Sequence, residues 1–284
     1  MKITQSFAYS GIAALSLFFN RGAALDPNCA PGGNFDLSKW TLQLPTGSPG
    51  KPDSISGSKL QGCNGYTSDV FLTDKSTGAM VMKVSGSPSS TGCVTTPNSK
   101  HCRTELRESN PRSFDPTSSV NRLAADVKVT KHGGEICIGQ IHIDDSISTK
   151  PVAELYYNSK GDLNMGVQQC RTCTQKRTYI DNVPSGQRLT YEIRYEGGKL
   201  SVNINGKGFK TLSTYDLNNP KSYFQGRQLQ PGWKGQQRFS SSSSRRLMDR
   251  LCRSSAVSQV INDQCSVPVS QHGYHNRSGN LPVK

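Results

Sequence analysis

Past its first 25 residues the chain has no apolar run that approaches the length needed to cross a bilayer, so no membrane partner is expected for the body. It also lacks any stretch with amphipathic helical spacing sustained over three turns, which argues against a helical or mixed architecture. Acidic residues are scarce, 20 Asp/Glu against 34 Lys/Arg, for a formal net charge of +14. Such a balance suits a polyanion, yet no RNA- or DNA-binding motif is present, so nucleic acid is not the expected partner. The pair Cys170-Arg171-Thr172-Cys173 has no second Cys-x-x-Cys and no nearby histidine, which counts against zinc or redox work. Finally, no linker interrupts residues 26–224, so nothing there divides the chain into two domains.

What is present starts with a secretory pattern in residues 1–25. Lys2 supplies the charge, the run from Ile12 to Phe19 the apolar core, and Gly22-Ala23-Ala24 the small residues near a cleavage site. A secreted, extracellular protein is therefore expected, and its nine cysteines read as disulfide candidates. Cys93 and Cys102 flank a loop, Cys170 and Cys173 can close a tight turn, and Cys29 and Cys63 can tie down the N-terminal segment. Cys137, on the apolar back of its strand, is expected to be a buried free thiol.

Short strands are predicted at 40–44, 70–72, 79–84, 103–108, 121–130, 135–143, 153–158, 163–168, 189–196 and 199–204. Gly, Pro, Asn, Asp and Ser punctuate them. Regularly spaced strands with such turns indicate an all-β sandwich, and a bent, concanavalin-like β-jelly roll is the form that offers a concave substrate groove.

Two of these strands are polar where a core strand should not be. In 135–143, period-two alternation sets Ile136, Ile138, Gln140 and His142 on one face, and Cys137, Gly139, Ile141 and Ile143 on the other. An amide and an imidazole on one face of an apolar strand are costly to bury without partners. In 103–108, Arg103, Glu105 and Arg107 share a face. Alone, the first is compatible with a solvated sheet face and the second with a surface salt-bridge row. Together they supply guanidiniums suited to carboxylates, a carboxylate to orient them, and an amide beside a titratable base.

The segments Arg103-Thr104-Glu105-Leu106-Arg107, Gln140-Ile141-His142 and Tyr223-Phe224 resemble, in order, the three signature regions of the alginate lyases of polysaccharide lyase family 7. Those regions read Arg-(Ser/Thr)-Glu-Leu-Arg, Gln-(Ile/Val)-His and Tyr-Phe-Lys-Ala-Gly-x-Tyr-x-Gln. The opening from Asn34 to Pro45 is also similar to that family's first strand, so the resemblance covers residues 34–224. It implies a monomeric jelly roll that binds an anionic uronic-acid polysaccharide and cleaves it by β-elimination without metal or cofactor. By the resemblance, Arg103 or Arg107 and Gln140 neutralise the uronate carboxylate, with Glu105 and Arg107 among the substrate-binding groups. His142 is the base or its support, and a tyrosine of the third region protonates the leaving oxygen. Two other readings share these residues: a non-catalytic carbohydrate-binding jelly roll stacking sugars on Tyr156, Tyr157 or Tyr191, and a lyase for another polyuronate such as glucuronan.

The third region departs from the family pattern. Gln225 stands where lysine is expected, and Leu229 where the second tyrosine is expected. Reading Leu229 as the place of the catalytic tyrosine, Tyr223 lies six residues away, roughly 20 Å along a strand, and the chain is expected to have little activity. Shifting the reading frame by one base after the Phe224 codon converts residues 225–233, through allowed synonymous codons, into Lys-Ala-Gly-Asn-Tyr-Asn-Gln-Ala. The predicted jelly roll therefore stops at residue 224, and 225–284 is predicted to be a tail outside the domain, with Cys252, Cys265 and the sequon Asn276-Arg277-Ser278 in it. That tail holds nine Lys/Arg against two Asp/Glu, half of the net positive charge.

Overall fold

A computed structural model describes residues 24–229 and 234–242, apart from 85, 98, 100 and 132. The secretory segment, and the cysteines and sequon of the tail, lie outside the described residues. Among the described residues no helix is long and apolar enough to cross a membrane.

The chain forms β1 (Trp40–Ser48), β2 (Lys51–Ile55), β3 (Phe71–Thr73), β4 (Met80–Met82), β5 (Arg103–Glu108), β6 (Arg122–Lys131), β7 (Ile136–Ile143) and β8 (Pro151–Tyr157). It continues through β9 (Asp162–Gln168), β10 (Gln175–Asn182), β11 (Arg188–Glu196), β12 (Lys199–Ile204), β13 (Phe209–Leu212), β14 (Ser222–Leu229) and β15 (Lys234–Ser242). Two antiparallel sheets result, one in the order β10-β9-β8-β7-β14-β5-β1-β2 and the other β13-β12-β11-β6-β15-β4-β3. The all-β jelly-roll sandwich read from the sequence is the observed architecture. Trp40, Leu42, Leu106, Ile141, Leu155, Tyr191, Ile193, Val202 and Phe224 fill the space between the sheets, each fully buried aliphatic side chain contributing about 1.5–3 kcal/mol.

Strand pairing does not stop at Phe224, where the sequence reading ends the domain. β14 runs on along β5 as far as Leu229, and β15 lies between β6 and β4 in the second sheet. The sandwich therefore takes up backbone to Ser242. The three disulfides expected from spacing are present: Cys29–Cys63, Cys93–Cys102 and Cys170–Cys173.

The alternation expected in β7 is broken. A β-bulge between Cys137 and Gly139 pairs Cys137 with Tyr156 but Gly139 with Leu155. Cys137 is buried and outside any disulfide, as expected, but it lies on the groove side rather than the apolar back, while Ile136 and Ile138 join the core. Gly139 is what allows this: a Cβ there would meet the Tyr191 ring and hydroxyl at 2.9–3.0 Å, where Tyr191 donates to the Ile138 carbonyl at 2.6 Å. Gly139→Ala is expected to destabilise the fold by about 1–3 kcal/mol through overpacking. Chemical denaturation checks this, and an unchanged midpoint would contradict it.

Candidate active site

A groove of about 940 Å³ lies on the face of the eight-stranded sheet that carries the polar rows of β5 and β7. Arg103, Glu105 and Arg107 from β5 and Gln140 and His142 from β7 all line it. Neither strand touches the other; β14 lies between them, with Gln225 paired to Gln140 on one side and to Arg107 on the other. All five residues expected to form the site are thus brought together.

β14 adds two groove residues. Its alternation sends Phe224 into the core against Phe114 and leaves Tyr223 and Gln225 facing the groove. Tyr223 is the register partner of His142, and the two rings stack with centroids 5.1 Å apart at 22°. The Arg107 guanidinium lies 4.1 Å from the centre of the Tyr223 ring. The structure thus brings Tyr223, and not position 229, beside His142. Leu229 is the register partner of Arg103, six residues further along β14 and roughly 20 Å from His142, so a tyrosine there would be the distant one. Signature spacing could not show which tyrosine meets the histidine, because that is fixed by cross-strand register.

Asp145, which follows β7, was not singled out in the sequence and closes this cluster. Tyr223 donates its hydroxyl to Asp145 Oδ1 at 3.0 Å, Arg107 pairs with Oδ2 at 2.7 Å, and His142 Nδ1 lies 3.8 Å from Oδ1. Its neighbour Asp144 fixes the turn: the Ser146 hydroxyl, followed by the Ser146 amide, lowers the Asp144 carboxyl to about 2.

His142 Nδ1 is 2.6 Å from the Ile143 carbonyl oxygen. A carbonyl only accepts, so Nδ1 carries a hydrogen, and in the ring's neutral form the lone pair lies on Nε2. Burial, the largest cause, holds the Tyr223 hydroxyl well above the ordinary tyrosine value; Arg107 pulls it down and Asp145 pushes it up. Tyr223 therefore stays protonated. A histidine ring and a protonated tyrosine are thus stacked in a groove rich in cations.

On the far side of this pair, Gln225 donates to Glu105 Oε1 at 2.7 Å. Glu105 is buried, so the residue expected to be lysine by family pattern sits directly on a buried carboxylate. Arg103, also buried, donates to the Ser99 hydroxyl.

The family described as alginate lyase (Alginate_lyase2) matches residues 35–239. The chain belongs to the alginate lyase family. The match runs past Phe224 into β15, in line with the strand pairing. The solved family 7 alginate lyase A1-II′, a Tyr→Phe variant with product, is 29% identical with a TM-score of 0.61, covering 75% of this chain and 100% of that one. The same enzyme as a His→Asn, Tyr→Phe double variant was solved with substrate (29% identity, TM-score 0.62, 77% and 99% covered). Alginate lyase PA1167 from Pseudomonas aeruginosa is 26% identical with a TM-score of 0.60, covering 73% and 100%. An alginate lyase of Klebsiella pneumoniae is 39% identical over 99 residues, a stretch that spans 34% of this chain and 30% of that relative's length.

Proposed function

We propose that this alginate lyase family member cleaves an alginate-type polyuronate by β-elimination in the groove, with His142 as base and Tyr223 as acid. The observation that carries the reading is the stacked His142–Tyr223 pair, one ring offering a lone pair and the other a retained proton. A purely sugar-binding groove has no use for that pairing.

The chemistry follows from the residues. The C5 proton of a uronate becomes removable when the adjacent carboxylate is neutralised, because charge then develops onto it as the proton leaves. Arg103 and Arg107, with the Gln140 amide between their strand and β8, are the donors placed for that carboxylate. His142 Nε2 takes the proton from C5, the C5–C4 double bond forms, and the C4–O4 bond breaks. Tyr223 gives its proton to the departing O4 and then recovers it from His142, leaving both groups as they began. Asp145 orients the Tyr223 hydroxyl until the sugar enters, and Glu105, between Arg103 and Arg107 on β5, accepts from Gln225. In A1-II′ a His and a Tyr are the residues replaced in the variant solved with substrate, which supports the same assignment here.

The secretory pattern of residues 1–25 supports a reaction outside the cell, with the chain acting as a monomer on a soluble polymer. Purified protein mixed with alginate, glucuronan and a neutral glucan tests the substrate class, followed by the ultraviolet absorbance of the unsaturated product. Absorbance should rise with alginate. A rise with glucuronan alone would reassign the substrate, and binding without any rise would leave a carbohydrate-binding module.

The acid form of Tyr223 is the competent one, and its ionisation is pushed upward. Activity is accordingly expected to persist as pH rises through about 10, where an ordinary tyrosine is half ionised. A rate profile whose alkaline limb has its midpoint a unit or more below that value would contradict the role of Tyr223.

A further inference from the structure

Of the three tyrosines suggested as sugar platforms, Tyr157 and Tyr191 are buried in the core. Tyr156 alone lines the groove, and a second polar cluster is built around it. Its hydroxyl donates to Glu154 Oε2 at 2.5 Å, and Gln175 Nε2 donates to the same oxygen at 2.6 Å. Over the other side of the ring lies Arg177, its guanidinium carbon 3.6 Å from the ring centre, with Nη1 paired to Glu135 at 2.7 Å. Stacking and pairing fix the plane of a guanidinium that is still 43% exposed.

The register lines this cluster up with the reaction centre. Gln140 pairs with Glu154, Glu154 with Gly166, and Gly166 with Arg177, so the row crosses the strands along the groove. Gly166 leaves the space that Tyr156 and Gln175 fill; a Cβ there would meet them at 2.4–3.0 Å. Three strand spacings separate Gln140 from Arg177, about 14 Å. That is beyond the reach of the sugar held at Gln140 and within reach of one farther along the same chain. Between the two, Glu154 is 92% buried and carries a carboxylate that repels another carboxylate but accepts from a hydroxyl.

We propose that Arg177, laid flat on Tyr156, forms a distal subsite for the carboxylate of a uronate roughly two or three units from the cleaved bond, with Glu154 receiving hydroxyls of the intervening sugar. This rests on the lyase reading, and extends it from the cleaved bond to recognition of a longer chain with a set pattern of charge. A salt bridge that only capped an edge strand would leave polymer binding untouched, so binding is the discriminating measurement.

The test uses the full chain carrying Tyr223→Phe, to halt turnover, titrated calorimetrically with alginate oligomers from dimer to hexamer. Affinity should climb by about tenfold or more between the short and the long oligomers, as one charge-assisted contact is gained. Adding Arg177→Ala should remove that climb, and Arg177→Lys, which keeps the charge but not the stacked plane, should restore part of it. Arg177 is exposed on an edge strand, so neither change threatens folding, and a thermal melt verifies that. If the Arg177→Ala protein binds the hexamer as tightly as its parent, the subsite is overturned while the lyase reading stands. If the parent binds no oligomer of any length, both fall together.

Discussion

Tyr223→Phe is expected to lower kcat on a polyuronate by about 10²–10⁴-fold, the usual worth of a general acid, with little change in KM. The substitution removes one oxygen. The ring that stacks on His142 and lies beneath Arg107 remains, so the groove keeps its shape and its cations. The hydroxyl's partner, Asp145, has a side chain 47% exposed, so water can replace the lost donor. The melting temperature should therefore move by only a few degrees at most, about the effect of 1 kcal/mol in a domain of this size. Leu229→Tyr is the companion experiment: if the acid belonged at that position, it would raise activity sharply, whereas the register of β14 against β5 predicts no gain. A Tyr223→Phe protein that turns over at a normal rate would remove Tyr223 from the mechanism.

The second large effect concerns stability. A version of the gene with one base removed after the Phe224 codon is expected to give a protein that melts higher by about 10 °C or more. The reason lies in where β15 runs. It sits inside the seven-stranded sheet, between β6 and β4, where one face must cover the core. Yet its sequence, Lys-Gly-Gln-Gln-Arg-Phe-Ser-Ser-Ser, offers one apolar residue, Phe239. Its neighbour β6 alternates Leu123, Ala125, Val127 and Val129 into the core. Three further apolar residues in such a strand would add roughly 5 kcal/mol, at about 1.5–3 kcal/mol each, a large part of the 5–15 kcal/mol that typically holds a domain together. The shifted frame also puts lysine at position 225, where Gln225 now meets the buried Glu105, and an ion pair there would reinforce the row that carries Arg103 and Arg107. Sequencing the transcript across codons 224 and 225 and comparing the melts of the two proteins decides the matter. A transcript that supports only the present frame, or a shifted protein that melts no higher, would refute the idea.

Most of the sandwich was legible because core strands announce themselves by alternation and β-branched residues. The strands that were missed are informative. β2, β10 and β13 lie at sheet edges; β2 and β10 are mostly polar, and β13 is only four residues long, too short for its alternation to show. β14 was reduced to Tyr223-Phe224 because Gln225-Gly226-Arg227-Gln228 shows no apolar alternation, and β15 was missed because its sequence is nearly all polar. The groove row on β5 and the pair Gln140 and His142 on β7 were readable, since alternation near the bulge still holds after Gly139. Tyr223 and Asp145 were not. Their roles come from register across β7 and β14 and from a turn that folds back onto both strands, and neither is visible along the chain. Cys137 shows the same limit: one extra residue in a bulge moves a side chain to the opposite face.

The central claim is that His142 and Tyr223 break the C4–O4 bond by elimination. The most direct measurement is the mass of the oligosaccharides released from alginate in heavy-oxygen water. Elimination adds no water, so each new non-reducing end should be unsaturated and no label should enter the products beyond slow exchange at reducing ends. Fragments that gain a labelled water and carry saturated ends would show hydrolysis, and would contradict the mechanism assigned to this pair.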